Sequence, residues 1–287
     1  MRVSSWVSLA VVASACDRDI LVGADFANDG GAEVSVGTGD DVSAGGDGPS
    51  GGKDAATDTA TDAGADSGLG SLTVPWSTGF ENGFGDWSQP SDQGYCYVAG
   101  AATYAIVTSP VHSGQYAAAF TVNPAITAPS QTRCVRQGAL PASAYYGAWY
   151  YVPAVATSIG TWNLLHFQGA DSPDAAVQSL WDLSLVNGAD GGLAPAVYDF
   201  LHTRTLAAGP DIPIGSWFHL EVRLTRSASS AGAFAVYVNG NPVLALSALE
   251  TDPTAWGQWY VGNYATALLP SPSTVYVDDV TIETTGP

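Results

Sequence analysis

Positive charge is what this sequence has least of. Its 287 residues carry 8 Lys and Arg against 27 Asp and Glu, a formal net charge of −19. Phosphate contacts need clusters of basic side chains, so this scarcity argues against nucleic acid as a partner. The negative field also slows the approach of any polyanion. Glutamate is sparse where a catalytic pair would matter: from residue 71 onward there are Glu81, Glu221, Glu250 and Glu283, each far from the next in sequence. A retaining glycosidase needs two carboxyls roughly 5 Å apart, so no single strand supplies such a pair and that chemistry is set aside. No Cys/His spacing suits zinc and no glycine-rich phosphate loop is present, so neither a metal nor a cofactor is expected. The weaker alternative is a structural calcium at Asp278-Asp279, which is disfavoured because neighbouring strand residues point to opposite faces. Helical periodicity longer than two turns is also missing.

What is present divides the chain into three. Residues 1–15 carry one positive charge, an apolar centre from Trp6 to Val12 and small residues before Cys16. They read as a secretion signal, too short to span a bilayer. Residues 16–70 are rich in Gly, Ala, Asp and Thr, with Asp54, Asp58, Asp62 and Asp66 recurring every fourth position. On a helix these charges would stack and repel, and the composition cannot bury enough apolar area to offset chain entropy. A disordered tether reaching roughly 40 Å is expected. Residues 71–287 form the folded domain, large enough to bury a core as one unit, and a monomer is expected.

The end of the leader, Ala13-Ser14-Ala15-Cys16, resembles a bacterial lipobox, which implies cleavage before Cys16 and its lipidation. Ala13-x-Ala15 also fits an ordinary signal-peptidase site. The lipobox reading puts the protein at the cell envelope or cell surface, outside the cytoplasm, with a membrane contact through an N-terminal lipid. The two remaining cysteines, Cys96 and Cys134, lie in strand-like runs. In an oxidising compartment they are expected to form a disulfide, the alternative being two buried thiols. The closed loop of about 39 residues would contribute roughly 4 kcal/mol.

Within the domain, strand-like runs follow one another about every ten residues, from Leu72–Phe80 to Thr274–Glu283, with turn signals between them. Asn239-Gly240, between Phe234–Val238 and the following strand, suits a type I′ hairpin. An all-β fold is expected: a jelly-roll β-sandwich of two large antiparallel sheets, preceded by the disordered linker. The richest stretch is Tyr145 to Gln168, YYGAWYYVPAVATSIGTWNLLHFQ. It reads as two adjoining strands joined by a short turn. In the second, Trp162, Leu164, His166 and Gln168 share one face, and Asn163, Leu165 and Phe167 the other. Such a surface suits a sugar, with Tyr146, Tyr150, Trp162 and Trp181 as carbohydrate-stacking candidates.

Two sets of motifs resemble the concanavalin A-like lectin/glucanase superfamily: Gly79-Phe80-Glu81-Asn82-Gly83-Phe84…Trp87, and Gly215-Ser216-Trp217-Phe218-His219…Tyr237-Val238-Asn239-Gly240, the latter LamG-like. Tyr145–Val152 with Trp162–Gly169 looks most like the heparin-lyase-I-like polysaccharide lyases. The resemblance implies a polysaccharide partner, with two readings: a binding domain, or a lyase acting by β-elimination on a uronic-acid polymer. For a lyase it implies His166 or Tyr264 as base, and Gln168 or Arg204 on the carboxylate. Alginate-type relatives carry a Q-x-H strand where this chain has His166-Phe167-Gln168, and an Arg-rich strand for which only Arg133-Cys134-Val135-Arg136 is available. His112 and His219 are expected to be structural.

Overall fold

The structure, a computed structural model, describes residues 70–125 and 128–286. The expected signal segment, Cys16 and the tether up to residue 69 lie outside the described residues. The strands run β1 (Trp76–Thr78), β2 (Gly94–Ala99), β3 (Ala102–Val107), β4 (Ala117–Val122), β5 (Ser130–Gly138) and β6 (Ser143–Tyr151). Next come β7 (Thr157–Ser158), β8 (Trp162–Ala170), β9 (Gln178–Asn187), β10 (Leu193–Asp199) and β11 (Arg204–Ala207). The last are β12 (Trp217–Thr225), β13 (Gly232–Val238), β14 (Asn241–Leu249), β15 (Trp256–Ala265), β16 (Leu268–Leu269) and β17 (Ser273–Glu283). A 3₁₀ turn covers Gly83–Trp87.

These strands form the two large antiparallel sheets expected. Sheet I runs β14-β13-β12-β6-β17-β4-β3, with β1 on β17. Sheet II runs β11-β10-β9-β8-β15-β5-β2. The Asn239-Gly240 turn joins β13 to β14 with φ of 50° and 75°, the two left-handed positions of a type I′ hairpin.

β6 and β8 do not form the expected hairpin. They lie in different sheets and face each other across the core, so Tyr146 meets Phe167 edge-on at 5.1 Å and the Tyr150 hydroxyl donates to the Leu164 carbonyl at 3.3 Å. The four stacking candidates are therefore corrected to core residues. Tyr146, Tyr150, Trp162 and Trp181 are each at most 1% exposed. Trp181 stacks on Phe234 at 4.2 Å and donates to the Thr251 carbonyl, and Trp162 donates to Asn263. No saccharide reaches rings held between two sheets. Burial pushes both tyrosine hydroxyls up, further from ionisation. Asn263 ties the sheets together: from β15 its amide donates to the carbonyls of Phe120 in β4 and Ser273 in β17.

Asp278 and Asp279 also depart from expectation. A register irregularity follows Asp278 where β17 pairs with β6, and Asp279 sits at φ 43°. Both carboxylates therefore gather on one turn: Asp278 accepts from the His112 and Ser113 amides, and Asp279 meets the His112 ring and the Ser113 hydroxyl.

Cys96 and Cys134 are directly paired across β2 and β5 and joined as a disulfide. Replacing both by alanine is expected to lower the unfolding free energy by about 2–4 kcal/mol, because the bridge no longer restricts the unfolded chain. Urea titration of the oxidised protein against the double variant measures this.

Candidate functional site

In an antiparallel sheet one face packs inward and the other carries the polar alternates. The outer face of sheet II is unusually dense in hydrogen-bonding side chains. Its composition depends on one irregular step. Along β8 against β9, Asn163 pairs with Ser184 and Leu165 with Leu183, so Leu164 is an extra residue. Against β15 the same place is marked by a shift between Val261 and Tyr264. This β-bulge breaks the expected alternation. Trp162 and Leu164 turn to the core, while Asn163 joins His166 and Gln168 outside.

Three cross-strand rows result. One holds Gln131, Tyr264, Asn163 and Ser184. The next holds Tyr260, His166, Asp182 and Tyr198, and the third Gln137, Gln258 and Gln168. Arg133 lies opposite Gly262, between the first two rows. A side chain at Gly262 would meet the Thr132 carbonyl at 2.3 Å and the Arg133 Cα at 2.8 Å, so only glycine leaves this approach open.

The side chains form a connected network. The Arg133 guanidinium lies 4.6 Å from the Tyr264 ring centre and 5.4 Å from that of Tyr260, and donates to Asn163 Oδ1 at 3.1 Å. Asn163 Nδ2 donates to Asp182 Oδ1 at 2.6 Å, and the same oxygen meets His166 Nδ1. A carboxylate only accepts, so an ionised Asp182 places the imidazole proton on Nδ1 and leaves Nε2 as the basic nitrogen. The His166 ring lies 5.3 Å from that of Tyr260, whose hydroxyl donates to Gln168 Oε1 at 2.8 Å and also meets Gln258 Oε1. Gln258 in turn donates to Gln137 at 3.0 Å. The cluster is tightly packed: His166 is 4% exposed and Arg133 8%. Gln137, Gln168, Asp182 and Tyr198 are partly exposed.

His166, Gln168 and Tyr264 thus share one face. Arg204 does not. It is in register with Phe167, Trp181 and Asp199, the inward row, and its Nε donates to Asp199 at 3.0 Å. His202 shares that carboxylate. The cation near His166 is Arg133. Its partner in the same motif, Arg136, sits three residues on and faces inward, donating to the Trp87 and Gln89 carbonyls beneath Trp76. Burial lowers its pKa to about 10. The alternation of Arg133 and Arg136 was visible in sequence; the roles of Asn163 and Asp182 were not, since each depends on the bulge. No two glutamates share the outer face of sheet II among the described residues.

No protein-family model and no curated protein sequence matches this chain. Solved structures share its fold. The endo-β-1,4-glucuronan lyase of the fungus Trichoderma reesei superposes with a TM-score of 0.56 at 16% identity, covering 73% of this chain and 95% of that one. The PL-14 alginate lyase of Aplysia kurodai gives 0.51 at 12% identity, over 74% and 100%.

Removing the shared acceptor should expose its structural weight. Asp182→Ala leaves Asn163 Nδ2 and His166 Nδ1 short of a charged partner, and an expected loss of about 1.5–3 kcal/mol follows, measured by chemical denaturation. In Asp182→Leu, which has no acceptor, nitrogen-15 spectra of His166 should show a weakened Nδ1–H tautomer, whereas Asp182→Asn, whose carboxamide oxygen still accepts, should retain it.

Proposed function

We propose that the domain binds an acidic polysaccharide on the outer face of sheet II. The observation that carries this reading is Arg133, set between Tyr260 and Tyr264 beside an Asn and Gln network. Guanidinium and carboxamide donors match a uronate carboxylate, and the tyrosine rings on either side hold the guanidinium in place. The fold is compatible with this reading, since proteins named as glucuronan and alginate lyases share it, though a fold hosts many functions. The domain is further proposed to act outside the cytoplasm as a monomer, held at the cell envelope by a lipid on Cys16, without metal, cofactor or nucleic acid. The Cys96–Cys134 bridge supports the oxidising compartment.

A second reading, β-elimination on the bound sugar, is favoured by the His166–Asp182 pair. In that reaction a base takes the proton from the carbon bearing the carboxylate. The electron pair forms a carbon–carbon double bond as the glycosidic C–O bond breaks. An acid then protonates the leaving oxygen. His166 Nε2 or the Tyr264 phenol can serve as base or acid, and Arg133 with Gln168 offsets the charge that develops on the carboxylate.

Affinity electrophoresis in alginate, glucuronan and heparin-like gels tests both. Retardation is expected for the full chain, and Arg133→Gln should weaken it by about tenfold or more, the cost of one charge-assisted contact. If elimination occurs, ultraviolet absorbance of an unsaturated product rises and Tyr264→Phe or His166→Ala abolishes it. Binding without absorbance leaves the binding role alone, and absence of both overturns the proposal for these polymers.

A further inference from the structure

The outer face of sheet I carries a feature unconnected to the Arg133 site. The outward positions of an antiparallel sheet are normally polar. Here the residues that alternate with buried Tyr146 and Tyr150 are Tyr145, Gly147, Trp149 and Tyr151. Tyr276 in β17, Tyr151 in β6 and Trp217 in β12 stand in one cross-strand register. Their rings are 5.8 and 5.6 Å apart. Two strand spacings make this row roughly 10 Å long. Beside it, Trp149 and His219 form a second directly paired row with rings 5.3 Å apart. His112 stacks on Trp149 at 3.7 Å and meets Trp217 edge-on at 5.7 Å, joining the rows. All six rings are partly exposed. Gly147 makes room for this arrangement, since a Cβ there would meet His219 Nε2 at 2.9 Å.

Charge narrows the occupant. Glu283 and the buried Glu221 lie on this face, with Asp279 and the buried Asp278 at its edge, and among the described residues Arg223 is the basic side chain beside them. Burial raises the pKa of Glu221 and Asp278, so Glu283 and Asp279 carry most of the negative charge. Burial, reinforced by His112, holds His219 below its ordinary range, so its imidazole adds no positive charge at neutral pH. The field therefore opposes a uronate, and no guanidinium–carboxamide network like that around Arg133 offsets it.

We propose that the Tyr276–Tyr151–Trp217 row is a second carbohydrate-binding surface, taking an uncharged polysaccharide chain. Neighbouring rings of the row are tilted by 60° and 78°. The row therefore presents ring faces and edges in turn together with two phenol hydroxyls and an indole N–H, groups that suit the apolar C–H faces and hydroxyl edges of such a chain. A contiguous row of partly exposed aromatic rings on a sheet's outer face marks an interaction site. The domain would then hold two glycans of different charge on opposite faces.

The test is retention of the full chain on cellulose, chitin and xylan, with Trp217→Ala, Tyr151→Ala and Arg133→Gln beside it and melting curves to confirm folding. Retention on at least one neutral polymer is expected. Either aromatic substitution should weaken it by more than about tenfold, as for truncation of a central aromatic anchor, while Arg133→Gln leaves it unchanged. Trp217→Phe should recover much of the loss if a variant with alanine is unstable. No retention on any neutral polymer, or equal retention by folded Trp217→Ala, overturns the proposal. So does loss on Arg133→Gln, which would assign neutral glycans to the other face. Self-association abolished by Trp217→Ala would instead make this face a contact between copies of the chain. Uronate gels report on the Arg133 site independently, so the two proposals can fail separately.

Discussion

The extra residue at Leu164 is the constraint on which the polar face of sheet II depends. Strict alternation would send Asn163 inward beside Leu165 and Phe167, where an amide without partners costs several kcal/mol on a water-to-hydrocarbon scale. The bulge instead turns Asn163 outward and gives both ends of its amide a partner, Arg133 and Asp182. On the facing strand the same irregularity falls at Gly262-Asn263. Gly262 leaves its side of the sheet bare for Arg133, and Asn263 turns inward to bond Trp162, Phe120 and Ser273. One step in register thus sets both an outward network and an inward tie between the sheets.

Charge on that face is balanced within the network. Arg133 and Asp182 are bridged by Asn163, and His166 shares the Asp182 oxygen, so two ionisable groups in a tightly packed region compensate each other. Arg136 shows the contrasting solution on the inward side. No carboxylate pairs with it among the described residues; carbonyl oxygens and the Trp76 ring hold the guanidinium, and burial lowers its pKa. Alternation along β5 decides which arginine points into the sandwich and which joins the outer polar network.

Most strands were legible because their cause is local. Alternating apolar residues bounded by Gly, Pro and Asn mark β6, β8, β13 and β17 within two residues, and Asn239-Gly240 marks its hairpin. Strands with little apolar pattern, such as the exposed β11 and the short β7 and β16, were not. Strand parity puts His166 and Gln168 on one face, and the pairing of β15 with β8 brings Tyr264 to it, while Arg204, which the resemblance implies beside them, lies in the inward register of β10–β11. The aromatic stretch was recognised, but its faces were inverted: Tyr146 and Tyr150 pack the core and Tyr145, Trp149 and Tyr151 face out. Period 2 says that neighbours oppose each other without saying which set faces inward when both are aromatic.

By itself the sequence determined the all-β class, the sandwich architecture and the cysteine pair, because strand propensity, turn chemistry and residue type act over a few neighbouring positions. Only the tertiary structure decided that β6 and β8 belong to opposite sheets, that Asn163 faces with His166, that Arg133 rather than Arg204 accompanies them, and that a separate aromatic row covers sheet I. Each of those outcomes rests on pairing between strands far apart in the chain. A single inserted residue or a choice of partner sheet there reverses which side chains meet, without altering the local pattern that encodes each strand.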